Sequence, residues 1–181
     1  MKYNNLLKLF TSIIICELAG VVGAGFTTPA INNWYAGLNK PFFNPPNSIF
    51  APVWTIIFVL MGCALYLVWD AKLKISNKIK TRKFKPWNKL SEKFSTGKWQ
   101  KANIILIFAV QLLLNIIWSG IFFGAHSLGA AFFELLMLWV AILFTIVNFY
   151  RVSKTAAWLL MPYILWVTFA GLLNLFIWVI N

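Results

Sequence analysis

The sequence is short of charge, above all of negative charge. Asp and Glu together number four in 181 residues, and charged residues of all kinds make up 11%. Soluble domains run nearer a quarter charged, so a soluble enzyme domain and a disordered tail are both excluded. Two cysteines, Cys16 and Cys63, each lie in an apolar run with no CxxC and no second ligand nearby. Neither a disulfide scaffold nor a zinc site follows from them. The single histidine, His126, has no Cys, His or carboxylate at ligand spacing and reads as a solvated loop residue. No haem-attachment motif, P-loop or dinucleotide fingerprint is present. The obvious enzyme chemistries are absent, and no metal or cofactor is implied.

What the chain has instead is apolar length: 61% of its residues are hydrophobic. A bilayer core needs about 20 consecutive apolar residues per helix, and five stretches supply them, 6–26, 52–71, 102–124, 128–150 and 156–180. The runs are continuous rather than alternating, which favours helices over barrel strands. The expected fold is an all-α integral membrane protein, a five-helix bundle forming one domain over 1–181. The first run resembles a secretion signal at its start, but it is longer than a signal's apolar region and contains Glu17. The third and fourth spans are joined so tightly that they should form an antiparallel pair.

The net charge of +12 invites a nucleic-acid reading, which its distribution opposes. Eleven of the 16 basic residues lie in the loop 72–101, between apolar runs. With five spans, 15 of the 16 fall on one side of the membrane and Lys40 alone on the other. The positive-inside rule then places the N-terminus and the basic loop in the cytoplasm and the C-terminus outside. The loop is a topology determinant that also touches anionic lipid headgroups; no nucleic-acid partner is expected.

The 25 residues of 27–51 are too long and too aromatic for a plain hairpin. They hold Trp34, Tyr35, Phe42, Phe43 and Phe50 among four prolines, and Pro52 follows at the expected start of the second span. Prolines lower the entropy of the unfolded segment and the rings have area to bury. The loop is expected to fold as an ordered cap over the outer mouth of the bundle; an interfacial aromatic anchor is the plainer alternative.

Within the spans, three stripes recur at helical spacing: Trp54, Phe58, Gly62, Leu65 and Trp69; Gln111, Asn115, Trp118, Ser119 and Phe122; and Tyr163, Trp166, Ala170 and Asn174 after a kink at Pro162. Amides are costly in hydrocarbon, so Gln111, Asn115 and Asn174 should face the bundle interior. By depth, Trp54, Asn115, Trp118, Trp166, Ala170 and Glu134, with the proline-rich loop, are expected to converge on an outward-opening aromatic cavity suited to a flat apolar ligand. Interhelical hydrogen bonding alone also accounts for the amides. Glu17 and Glu134 lack a cation at matching depth, so each is protonated or hydrogen-bonded to an amide or hydroxyl. Asp70, with Lys74 one turn on, reads as a solvated end group. Ala19, Gly20, Gly23, Ala24 and Gly25 form a small-residue face for close helix contact.

These residues carry a resemblance. The segments WYAGLNKPFFNPP (34–46), FAPVW (50–54), MGCALYLVW (61–69), QLLLNIIWSGIFFGA (111–125) and AAWLLMPYILWVTFAGLLN (156–174) together resemble the tryptophan-rich sensory protein/translocator protein (TspO/MBR) family, also called the peripheral benzodiazepine receptor family. The resemblance implies a membrane receptor for porphyrins (tetrapyrroles) and related flat apolar ligands in a bacterial-type cell membrane, with a sensing or transport role, commonly as a homodimer. The positions matching the family's pocket are Tyr35, Pro45, Trp54, Phe58, Asn115, Trp118, Trp166 and Ala170. Trp54 and Trp166 match tryptophans implicated in light-dependent porphyrin breakdown, which is the alternative, enzymatic reading. Glu134 falls where mammalian members carry aspartate. The stretch NLFIWVIN (174–181) lacks the Tyr and Arg of the mammalian sterol-recognition segment, so sterol binding is not expected through it.

Overall fold

The structure, a computed structural model, describes residues 3–71 and 97–181, with side chains described in 5–71 and 101–181. It is helical throughout its spans: α1 (Tyr3–Ile31), α2 (Asn47–Asp70), α3 (Gly97–Ser119), α4 (Leu128–Val152), α5 (Lys154–Leu159) and α6 (Met161–Ile180). Five stretches are long and apolar enough to cross a membrane, α5 and α6 together forming the fifth. The bundle packs α1 on α2 and α3, α3 antiparallel to α4, and α4 on α6. The basic loop lies outside the described residues except at its end, where Lys101 donates to the backbone carbonyls of Trp69 and, at 3.1 Å, Ala71.

Side-chain distribution follows the solvent. Met61, Phe108, Ile142, Phe149 and Leu160 are fully buried between helices, with the Phe108 and Phe149 rings stacked at 5.6 Å. Large aliphatics such as Val21 and Leu165, each 66% exposed, point outward, as expected where lipid rather than water surrounds the protein. Helices α1 and α2 approach most closely at Gly62, where a Cβ would sit 2.5 Å from the Ile13 Cα.

Several boundaries differ from the sequence reading, each for a local reason. Helix α1 runs on to Ile31, five residues past the expected end, with Pro29 inside its last turn. The N–H that proline lacks would have bonded the carbonyl of Gly25, where the ladder is nearly finished. Helix α2 begins at Asn47, so Pro52 is its sixth residue rather than its first, and the Ser48 carbonyl has no i+4 backbone donor there. The segment between α1 and α2 is thus 32–46, shorter than the expected 27–51. At the other end, the backbone breaks at Leu160, and Pro162 opens α6, so the fifth span is two helices rather than one kinked helix. Ser153 caps α5, its hydroxyl accepting from the Ala156 N–H at 3.3 Å.

Asp70 is not simply a solvated end group. Its carboxylate accepts from Lys8 Nζ at 2.9 Å, tying α1 to the end of α2; Lys74 lies outside the described residues. His126, though exposed, stacks on Trp34 with centroids 4.3 Å apart and planes within 11°. It holds a left-handed backbone, φ 54°, in the turn between α3 and α4.

Candidate functional site

Residues 32–46 form a cap held by ring packing and hydrogen bonds. A short 3₁₀ turn, Tyr35–Gly37, sits over the bundle with Tyr35 buried. The Trp34 ring packs edge-on against Phe122 at 5.6 Å and against Phe123 at 6.4 Å. Both phenylalanines lie in the π-helical turn Gly120–Gly124 that ends α3. Tyr35 donates its phenol proton to Asn44 Oδ1 at 2.9 Å, and Asn44 Nδ2 donates to the Pro45 carbonyl at 3.1 Å. Phe43 meets Phe176 edge-on at 5.3 Å, and the Asn181 side chain pairs with the backbone of Asn39. The expected ordered cap is therefore present.

Beneath the cap lies a cavity of about 330 Å³ walled by α1, α2, α3 and α6. Seven of the eight expected pocket residues line it: Tyr35, Trp54, Phe58, Asn115, Trp118, Trp166 and Ala170. Pro45 does not; its carbonyl anchors Asn44, which in turn holds Tyr35, so it acts on the cap rather than on the cavity wall. The aromatic wall is preorganised by its own packing. Trp54 stacks on Phe58 at 5.6 Å, Trp118 on Phe122 at 5.1 Å, and Phe50 meets Trp166 edge-on at 5.9 Å. Such pairs fix ring planes as well as burying area.

The polar residues divide. Asn115 Nδ2 donates to the Tyr163 hydroxyl at 3.1 Å, and Asn174 Nδ2 donates to the Leu128 carbonyl at 2.9 Å. Both asparagines line the cavity. Ser119 lines it too, facing Gly23 of α1. Glu134, expected to share the cavity, is buried in the bundle and does not line it; Gln111 faces the bundle interior as expected, and Tyr163 is buried there too. The two carboxyl oxygens of Glu134 and both polar atoms of the Gln111 amide have no hydrogen-bond partner among the described residues, and Glu17 Oε1 is likewise alone. The hydrogen-bonded alternative expected for Glu17 and Glu134 is thus not realised at those atoms.

Sequence reasoning missed part of the lining. Phe50 and Asn47 extend the Trp54 stripe by one and two turns, and Leu173 and Ile177 extend the Trp166–Ala170 stripe toward the cap. The same i, i+3, i+4 spacing, continued before residue 52 on the second span and along the fifth, would have found them. On α1 the wall is formed by Glu17, Gly20, Val21, Ala24 and Thr28. Gly20 lies against the Phe58 ring, where a Cβ would come within 2.6 Å. Val21, Ala24 and Thr28 on α1 and Ala51 and Thr55 on α2 line the cavity and are also exposed. Instead of opening only at the capped end, the cavity reaches the exposed surface between the cap-side halves of α1 and α2.

Comparison with known proteins agrees with this architecture. Residues 12–179 match the TspO/MBR family. A tryptophan-rich protein TspO of Archaeoglobus fulgidus is 36% identical, over 98% of this chain and 99% of its own length. The human translocator protein is 36% identical over 90% of this chain and 83% of its own. A tryptophan-rich sensory protein of Cereibacter sphaeroides is 29% identical over 84% of this chain and 81% of its own.

Proposed function

The chain belongs to the TspO/MBR family of integral membrane proteins, and from that premise and the capped aromatic cavity we propose that it is a receptor for porphyrins and related flat apolar molecules, with a sensing or transport role. The observation that carries the reading is the placement of Trp54, Phe58, Trp118 and Trp166 around one cavity under an ordered cap. Ligand sites are concave, mostly apolar and furnished with a few fixed polar groups, typically over about 300–1,000 Å³. At about 330 Å³ the cavity holds part of a macrocycle; the gap between α1 and α2 gives the remainder a route into lipid.

Titrating the purified protein with protoporphyrin IX and following tryptophan fluorescence tests this. Saturable quenching that weakens in a Trp54→Phe/Trp166→Phe double variant is expected. Quenching that does not saturate, or that is the same in the double variant, would overturn the proposed site.

A second reading, photo-oxidative breakdown of the porphyrin, is favoured by one observation. Trp54 and Trp166, the two indoles the family resemblance connects with that chemistry, both line the cavity. Under illumination the bound porphyrin should then decay faster than with an unrelated membrane protein, and more slowly in the double variant. Equal decay in all three would remove this reading.

Two further readings accompany the receptor. The gathering of Lys8, Asp70 and Lys101 at one end of the bundle supports a cytoplasmic basic face with bound anionic lipid headgroups and an external C-terminus. Labelling of cysteines introduced at Lys40 and Lys85 in sealed cells by a membrane-impermeant maleimide should mark the first and spare the second. The exposed aliphatic faces also accommodate a homodimer, to be checked by cross-linking in native membranes.

A further inference from the structure

Four polar atoms of the lining are buried without a partner among the described residues: the indole N–H groups of Trp118 and Trp166, which would meet acceptors on a ligand, and the acceptors Glu17 Oε1 and Asn174 Oδ1, which would meet donors. The lining contains one carboxyl, that of Glu17, and no Lys, Arg or His. Glu17 stands midway along α1, about 21 Å below the Ile31 end at 1.5 Å per residue. Its Oε1 is shielded and has no partner among the described residues. A second acceptor, Asn174 Oδ1, is also buried without a partner, on a residue 1% exposed that lines the same space. A polar atom buried without a hydrogen bond is costly, and an intramembrane ionisable residue generally faces a partner or a functional cavity. No described residue supplies either acceptor with a donor.

The surroundings suit a cation. Phe58 packs directly against α1 at Gly20, one turn from Glu17, and Trp54 stacks behind it. Aromatic faces attract ammonium and amidinium groups, the more so when these are desolvated. The absence of any cationic side chain from the lining leaves the carboxyl free for a ligand.

We propose that Glu17 is the specificity-determining residue of this cavity, accepting a hydrogen bond from a basic nitrogen, so that the preferred ligands are flat aromatic amines or amidines with their N–H edge toward α1. This rests on the reading of the cavity as the ligand site. It adds to that reading a ligand class that shape and apolarity alone do not define.

The test uses the full chain in zwitterionic detergent and two three-ring probes of similar shape, 9-aminoacridine, which is protonated at neutral pH, and acridine, which is not. Binding is read by tryptophan quenching. The wild type should bind 9-aminoacridine at least tenfold tighter than acridine. Glu17→Gln, which keeps the side-chain shape, and Glu17→Leu should bring the two affinities within threefold, by weakening 9-aminoacridine far more than acridine. Retained acridine binding also shows that the variants are folded. A wild-type ratio near one, or a tenfold ratio that survives in both variants, overturns the assignment of Glu17 and leaves the cavity reading standing. If neither probe quenches saturably, or if the Trp54→Phe/Trp166→Phe variant binds both unchanged, the cavity reading itself fails, and the assignment falls with it.

Discussion

The side chain of Asn181 reads the backbone of Asn39 as a neighbouring strand would: Oδ1 accepts from the Asn39 N–H at 2.9 Å, and Nδ2 donates to the Asn39 carbonyl at 3.0 Å. Nδ2 also reaches the Ile177 carbonyl at 2.8 Å, which fixes the amide on the end of α6. Two residues 142 positions apart in sequence thereby couple the cap to the helix carrying Trp166. Each such bond contributes about 0.5–1.5 kcal/mol. Asn181→Ala should loosen the cap without unfolding the bundle. Faster amide hydrogen exchange over 34–46, with the spans unchanged, is the expected result.

The contact between α1 and α2 makes a sharper prediction about packing. A Cβ at Gly62 would meet the Ile13 Cα at 2.5 Å and its N at 2.9 Å, and backbone cannot swing aside as a side-chain end can. Gly62→Ala should cost about 1–3 kcal/mol. Gly25→Ala is the control, since nothing lies within 4 Å of the added methyl; it should be neutral or slightly stabilising through helix propensity, by up to about 1 kcal/mol. Thermal melts of the two variants in micelles would show the contrast.

Tyr163 is wholly buried, and its hydroxyl accepts from the cavity-lining Asn115. Interhelical hydrogen bonds in membranes average about 0.6 kcal/mol and reach about 1.7. Tyr163→Phe should destabilise the bundle within that range and free the Asn115 amide, changing ligand affinity from a residue that does not line the cavity. Denaturation and titration of the same variant would separate the two effects.

At the cap, burial raises the Tyr35 pKa above the ordinary tyrosine value. The folded cap therefore favours the neutral phenol, whose proton is the one donated to Asn44. The contribution is complete below the pKa of the unfolded chain and is lost as pH rises through the higher folded value. Cap protection in hydrogen exchange should stay constant through neutral pH and fall only in the alkaline range. In Tyr35→Phe that alkaline fall should disappear.

The spans were legible because their signal is long and uninterrupted, and the stripes of Trp54–Phe58, Asn115–Trp118 and Trp166–Ala170 were legible because helical spacing fixes which residues share a face. What escaped depended on contacts between distant segments. Nothing local to Asp70 announces Lys8, 62 residues away, and nothing local to His126 announces the Trp34 ring. Pro45 matches a pocket position of the family only by resemblance, and in the fold it supports Tyr35 through Asn44. Glu17 stood out as an intramembrane acid, but its place on the cavity wall depends on how α1 rotates against Phe58.

The wide turn at Gly120–Gly124 bears on how this scaffold tolerates change. Successive residues of an α-helix point about 100° apart, at 3.6 per turn, and π turns relax that angle. Here Phe122 and Phe123, adjacent in sequence, both pack against Trp34 and Tyr35. The end of α3 is thus a phase-sensitive joint: deleting or adding one residue between Ser119 and Ala125 would swing one of the rings away from the cap. Loop grafts and chimaeras between relatives should therefore be cut inside the basic segment preceding α3 and never at this turn, where length and lid geometry are a single property.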